Sequence, residues 1–208
     1  MTSPSGISNI SFYFDPSCPW TYIASRWIRN VTAINGVPLE FRPFSLAIKN
    51  HGGQITPQME LGLSLLRVIA KMQNQNPKSD ADRLTSEIYL RFGEEFHVKG
   101  LGLDTNIRSI LSEFSLPDDA TSAINDPTLD DQISASMTEA LALTGQDFGV
   151  PIIAIQREDQ HQGFFGPILC RVPTGDETIK LWTHFVGLSE LGCFFELKRT
   201  KLSGPWVS

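Results

Sequence analysis

The sequence predicts an α/β fold in which a βαβ unit and a ββα unit are separated by an all-helical insertion. Three observations predict it. Strand-like segments cluster toward the two ends of the 208-residue chain. Between Ser45 and Gly145 the apolar residues recur instead at helical spacing. The switches between the two patterns are marked by proline and glycine.

The first strand is read at Ile10–Phe14, apolar or small throughout and closed by the turn residues Asp15, Pro16 and Ser17. A helix follows Cys18-Pro19. Ile23, Trp27, Val31 and Ile34 form its apolar face, Ser25, Arg26, Arg29 and Asn30 its polar one, and Asn35-Gly36 its stop. Pro38–Phe44 alternates as a second strand, with Pro38 and Pro43 suited to its ends. In the helical block, Leu65, Ile69 and Met72 share one face, and Leu84, Ile88, Phe92 and Phe96 another. Asp104 is placed to cap a helix bearing Ile107, Ile110, Leu111 and Phe114. Asp126 is placed to cap one bearing Leu129, Ile133, Met137, Ala140 and Leu141, stopped at Gly145. Pro151–Ile155 and His161–Phe165 flank a polar turn as a β-hairpin. Thr174 and Glu177 have capping-box spacing ahead of Ile179, Trp182, Phe185 and Val186, the apolar face of a last helix over the sheet.

Composition narrows the function. A chain that is 41% hydrophobic and 19% charged can bury a substantial core. Its 17 basic against 23 acidic side chains, net charge -6, offer no broad attraction for nucleic acid or anionic lipid. The start of the chain carries neither a basic segment nor an apolar core of signal-peptide length, and no apolar run has the length of a membrane span. Cys18, Cys170 and Cys193 are odd in number and widely spaced, which argues against a disulfide framework and against a zinc site. The expectation is a reduced, cytoplasmic protein with no metal.

The stretch Phe14-Asp15-Pro16-Ser17-Cys18-Pro19-Trp20-Thr21 carries the chemistry. A thiol attacks only as thiolate. Cys18 lies after a strand and at the start of a helix, where unpaired N–H groups and the positive dipole end favour an anion. Pro19 suits the first helical position, having no N–H to leave unpaired. Thr21 is placed to donate its hydroxyl to the sulfur. On these grounds the Cys18 thiol is expected to titrate below an ordinary thiol. The same residues also suit an inert cysteine that happens to precede a helix, and by themselves they leave both readings open. Gly149-Val150-Pro151 places a proline at the head of a strand, a position compatible with a cis bond.

Cys-Pro-Trp after the first strand and Val-Pro opening the third resemble the thioredoxin superfamily, specifically its DsbA-like branch with a helical insertion. Further matches run the length of the chain: Phe14-Asp15-Pro16, Cys18-Pro19-Trp20, Ser25-Arg26-Trp27-Ile28, Ser45-Leu46-Ala47-Ile48, Phe164-Phe165-Gly166-Pro167, Lys180-Leu181-Trp182 and Phe194–Thr200. Together these resemble the actinobacterial mycothiol-dependent nitroreductase family. The resemblance implies a thioredoxin-like domain over 8–46 and 147–208, with 47–146 as helical insertion domain. It also implies a cytosolic actinobacterial setting, mycothiol as thiol cosubstrate, Cys18 as attacking thiol and Pro151 as the cis-proline beside it. The family's loop is Cys-Pro-Trp-Cys, whereas this chain has Thr21 at the last position. Release of a mixed disulfide therefore needs an external thiol.

Around these, Trp20 is expected to wall a substrate site, and Val150 to pair its backbone with an extended thiol ligand. Tyr89, Gly93 and His97 lie four apart on one helical face, with Gly93 admitting a close approach; His97 also falls where the family carries a histidine, and is a candidate for the cleft or for the surface. Cys170 and Cys193 sit in apolar surroundings typical of packed thiols. The leading expectation is a monothiol oxidoreductase acting on a disulfide or electrophile. One alternative resembles the kappa glutathione transferases and hydroxychromene-carboxylate isomerases, where a bound thiol is the nucleophile. The other is a binding module with an inert Cys18. Apolar residues on the insertion helices fit internal packing or a homodimer interface alike.

Overall fold

The computed structural model describes residues 6–116 and 119–207. Strands β1 (Ile7–Phe14), β2 (Leu39–Pro43), β3 (Ile152–Arg157) and β4 (His161–Phe165) form one sheet in the order β2-β1-β3-β4. β1 runs parallel to β2 and antiparallel to β3, and β3 is antiparallel to β4. The sheet is mixed because a helix crosses over between β1 and β2, while a tight turn, with Arg157 N–H on Gln160 O, joins β3 to β4.

Helix α1 (Pro19–Asn35) ends at Gly36, whose φ of 63° is the left-handed cap the sequence anticipates. Its core side is Ile23, Trp27, Ile28 and Val31, but Ile34 is 65% exposed and lies off that face. Ser25, assigned to the polar side, is fully buried because it returns its hydroxyl to the Tyr22 carbonyl at 2.7 Å.

Helices α2 (Leu46–Lys49), α3 (Pro57–Gln75), α4 (Lys78–Gly93), α5 (Ile107–Leu111) and α6 (Asp130–Thr144) lie between β2 and β3 in the chain. A π-turn at Glu94–Val98 extends α4. The α5 cap is Asn106, whose side chain accepts from Ser109 N–H; Asp104 instead ends a preceding 3-10 turn. Asp126 caps the 3-10 turn Pro127–Leu129 that leads into α6, and Gly145 ends that helix. The insertion and the sheet share one apolar core, in which Phe14 and Phe41 meet Tyr89, at ring separations of 4.3 and 5.9 Å.

Helix α7 (Asp176–Ser189) closes the sheet, with Trp182 buried beside Trp27 at 6.4 Å. It starts after Gly175 without a side-chain cap among the described residues, so the expected Thr174 cap does not form; Glu177 pairs with Arg171 at 2.8 Å. Ile179 is 39% exposed, which leaves Trp182 and Val186 as the buried side of the helix. The remaining chain, 190–207, crosses back without regular structure. It is held by Trp206 N–H on Cys170 O at 2.6 Å and by Arg26 on Val207 O at 3.1 Å. Among the described residues no helix is long and apolar enough to cross a membrane.

Candidate active site

Cys18 is the N-cap of α1, with extended φ and ψ of -87° and 111°, and Pro19 occupies the first helical position. The chain reaches this turn through a short loop in which Cys18 N–H bonds Asp15 O at 3.1 Å. Cys18, Pro19 and Trp20 are partly exposed, while Thr21, one turn along, is fully buried. Register brings Pro151 to the same edge. Ile152 pairs with Tyr13, so Pro151 lies beside Phe14 at the end of β1 from which the Cys18 loop departs. The Val150–Pro151 bond is cis. Both residues are buried, and the Val150 N–H and C=O take no backbone partner among the described residues. Phe148 stacks on the partly exposed Phe165 at 5.4 Å just beyond.

The thiol itself departs from expectation. Burial pushes the Cys18 thiol up from its ordinary range, and a negative charge on Asp15 adds to this. Donation toward the sulfur from the Thr21 side chain, with the N–H groups of Thr21 and Trp20, opposes the rise without cancelling it. The helix terminus acts in the direction the sequence indicates; desolvation by surrounding apolar groups is the larger effect. Thr21 Oγ1 is buried and takes no other hydrogen-bond partner among the described residues, so its proton is available to the sulfur when that sulfur carries charge.

Asp15, read from sequence only as a turn residue, is the hub of the loop. It is fully buried. Its Oδ1 accepts from Ser17 N–H at 2.7 Å and Ser17 Oγ at 2.6 Å; Oδ2 accepts from Leu46 N–H, the first residue of α2, at 2.6 Å. Leu46 in turn packs against Gly149, ahead of Val150. One carboxylate thereby ties the Cys18 loop to the elements flanking Pro151. A Cβ at Gly62 of α3 would come within 3.0 Å of Asp15 Oδ1, so this glycine is what lets α3 close over the loop. The sequence signal for Asp15 was its position directly after a buried strand.

His97 comes from the π-turn, and its Nε2 lies 2.9 Å from Pro16 O. With that nitrogen donating, the ring steadies the loop two residues before Cys18. It stacks on Tyr22 at 5.2 Å. Burial lowers its pKa from 6.5 to about 4, with the Pro16 bond opposing the fall. Between those two pH values the unfolded chain binds a proton that the native state does not, so stability rises with pH there and is lost as pH falls from 6.5 toward 4. A shift of that size corresponds to at most roughly 3 kcal/mol. Urea unfolding at pH 7 and pH 4.5 should therefore show a larger acid loss in the wild type than in His97→Gln, by about 2 kcal/mol. Equal losses would show that His97 is not held neutral.

The helical face marked by Tyr89, Gly93 and His97 receives a side chain of α1, Tyr22, which packs on all three. Trp20 has its ring faced by Lys201 Nζ of the C-terminal segment at 5.0 Å. Cys170 and Cys193 are exposed; Leu169 beside the first packs on the core, while Leu191 and Phe195 around the second are exposed with it, which corrects the expectation of packed cysteines.

The model of a family described as Rv2466c-like, mycothiol-dependent nitroreductase Rv2466c, matches residues 17–199. A protein of Mycobacterium tuberculosis described as uncharacterized protein Rv2286c is 29% identical over 210 residues, spanning 94% of this chain and 83% of that one. The cytosolic disulfide reductase DsbM of Pseudomonas aeruginosa superposes with a TM-score of 0.56 at 15% identity, over 85% of this chain and 98% of the other. DsbA of Chlamydia trachomatis gives 0.54 at 14%, over 88% of each. Those two likenesses show the fold, a DsbA-like thioredoxin fold with a helical insertion. With its model matched from the Cys18 loop to the C-terminal segment, this chain belongs to the Rv2466c-like family of mycothiol-dependent nitroreductases.

Proposed function

We propose that the protein is a monothiol disulfide-exchange enzyme in which Cys18 is the only protein sulfur used and mycothiol completes the cycle. One observation carries this reading: a partly exposed cysteine caps α1 beside a cis-proline, and the position one turn later holds a buried threonine. In the first step the Cys18 thiolate bonds one sulfur of a substrate disulfide, and the other sulfur leaves as a thiolate that takes up a proton. In the second, the thiolate of mycothiol attacks the substrate-side sulfur of the mixed disulfide. Cys18 then leaves as thiolate and is reprotonated. The sum is a balanced exchange, one disulfide and one thiol in, one of each out. Reduction of a nitro group, for which the family is named, draws more electrons than one sulfur can deliver in such a cycle.

The residues present fit a small thiol cosubstrate. Trp20 offers an apolar wall beside the sulfur, and the Val150 N–H and C=O, without a backbone partner among the described residues, can pair with an amide-bearing ligand as a strand edge would. Pro151 keeps that edge facing the loop, and Pro19 fixes the start of the helix. His97, through Pro16, acts as a positioning residue. On this reading 8–46 and 147–208 supply the thiol machinery, while 47–146 supplies the wall behind it.

The test is intact-mass analysis of the reduced protein after exposure to mycothiol disulfide. One mycothiol should add to Cys18, none should add to Cys18→Ser, and free mycothiol should remove it. Turnover of an electrophile that survives Cys18→Ser would replace this reading with a transferase in which bound thiol is the nucleophile. Absence of both adduct and turnover would leave a binding module.

A further inference from the structure

We propose that Lys201 is a specificity-determining residue for the Cys18 turn, its ammonium drawing in reaction partners that carry a carboxylate beside the reacting sulfur or carbon. The inference rests on the reading of Cys18 as the attacking thiol and adds to it a substrate class, anionic disulfides and electrophiles. Cys18, Pro19 and Trp20 are all partly exposed, in the first turn of α1. Lys201 Nζ stands 5.0 Å from the centroid of the Trp20 ring, a cation held over an aromatic face two residues from the sulfur. Lys201 is exposed, and among the described residues no carboxylate pairs with it. Its charge therefore stands uncompensated at the rim of the turn.

The fold brings this cation to the turn from the far end of the chain. Segment 190–207 has no regular structure but is tied down on both sides of Lys201. Before it, Phe194 lies against Phe164 at 6.4 Å. After it, Trp206 N–H bonds Cys170 O, Arg26 bonds Val207 O, and the Val207 side chain packs on the core. Between these ties Phe195, Leu197 and Leu202 are exposed, so apolar burial does not seat the span; Lys201 on Trp20 is its contact with the turn. The other charged groups nearby supply no such attraction. Asp15 is an acid, fully buried, and accepts three hydrogen bonds. His97, with its pKa lowered to about 4, is neutral at pH 7. Arg26 is engaged at Val207 O and faces the Tyr22 ring from 5.9 Å. Because burial keeps the Cys18 thiolate scarce, a raised local concentration of an anionic partner is what the protein surface can still contribute to the rate.

The test compares iodoacetate with iodoacetamide at Cys18, two reagents alike in size and leaving group that differ in charge. Adducts are located by peptide mass, since Cys170 and Cys193 are exposed as well. The iodoacetate-to-iodoacetamide rate ratio, divided by that of free N-acetylcysteine, should be about 5 at low ionic strength, the effect of one unit charge at contact distance in water. It should fall toward one in concentrated salt. Lys201→Gln should bring the ratio near one and Lys201→Glu below one, while Lys201→Arg keeps it. Lys180→Gln, which removes the same charge from an exposed position on α7, should leave it at the wild-type value. In thiol exchange, Lys201→Gln should slow reaction with the dianionic dithiobis-nitrobenzoate and spare that with uncharged dithiodipyridine. If Lys201 merely covers the sulfur, Lys201→Gln speeds both alkylating reagents together and the ratio stays put, which overturns the proposal. A wild-type ratio of one, or a ratio lowered equally by Lys180→Gln, also overturns it. The alkylation arm uses neither disulfide nor mycothiol, so failure of the wild type to take up mycothiol would sink the exchange reading and leave this result standing.

Discussion

Thr21→Cys is expected to abolish the dependence on an external thiol for release of a Cys18 mixed disulfide. Position 21 is one helical turn from Cys18 and fully buried, so a sulfur there would stand on the same side of the turn, within reach of a disulfide. Threonine and cysteine are close in size, and among the described residues the replaced hydroxyl has no oxygen or nitrogen partner to orphan. Attack from position 21 is intramolecular. Against about 0.1 mM free thiol, an effective concentration of ~10 mM already makes the adduct decay about 100-fold faster, and a well-aligned pair exceeds that. In stopped-flow release the wild-type rate should rise linearly with mycothiol. That of Thr21→Cys should be flat and should end in a disulfide between positions 18 and 21, with the protein lighter by two hydrogens. An adduct on Thr21→Cys that persists until mycothiol is added would mean that the turn holds the two sulfurs apart. The monothiol character would then belong to the fold and not to the threonine.

That contrast also separates what local sequence could reveal from what it could not. Cys18 as a helix cap followed by Pro19 is a one-turn property, and the geometry of the turn agrees with it. The order of strands and helices was similarly legible, because alternation and helical spacing are local. The Cys18 thiol was not. Its helix-terminal donors were visible, but the burial that outweighs them is set by the packing of Cys18 against the apolar core, which no local pattern announces. Asp15 shows the same limit: Ser17 is two residues away, whereas the Leu46 N–H that completes its shell arrives only because β2 ends beside β1. The short helix α2 beginning at Leu46 had no periodicity to announce it. Cys170 and Cys193 went the other way, with apolar neighbours in sequence and exposed thiols in the fold. Gly93 was marked as a place of close approach; the sequence could not say that the visitor would be Tyr22 rather than a ligand.

Gly93→Ala follows from that visitor and is expected to be among the most damaging single-methyl changes in the chain. A Cβ at position 93 would lie 2.1 Å from Tyr22 Cε2 and 2.3 Å from Cδ2, well inside any real carbon contact. The ring cannot simply swing aside. It stacks on His97 at 5.2 Å, meets Tyr89 edge-on at 6.0 Å, and places its hydroxyl 3.4 Å from the Leu90 carbonyl. Accommodation therefore requires α1 to separate from α4 or the ring to leave its rotamer, an overpacking cost of about 3 kcal/mol. That more than offsets the gain in helix propensity of about 1 kcal/mol from alanine over glycine. Urea titration should show a midpoint lowered accordingly. Because Tyr22 lies one turn into the helix that Cys18 caps, the alkylation rate of Cys18 should change as well, even where the variant remains folded. Tyr22→Leu should restore much of the loss when combined with Gly93→Ala, since it removes the ring atoms in the way. Strict additivity of the two changes would show that the glycine and the ring are not in contact, and that α1 is held against the insertion by other means.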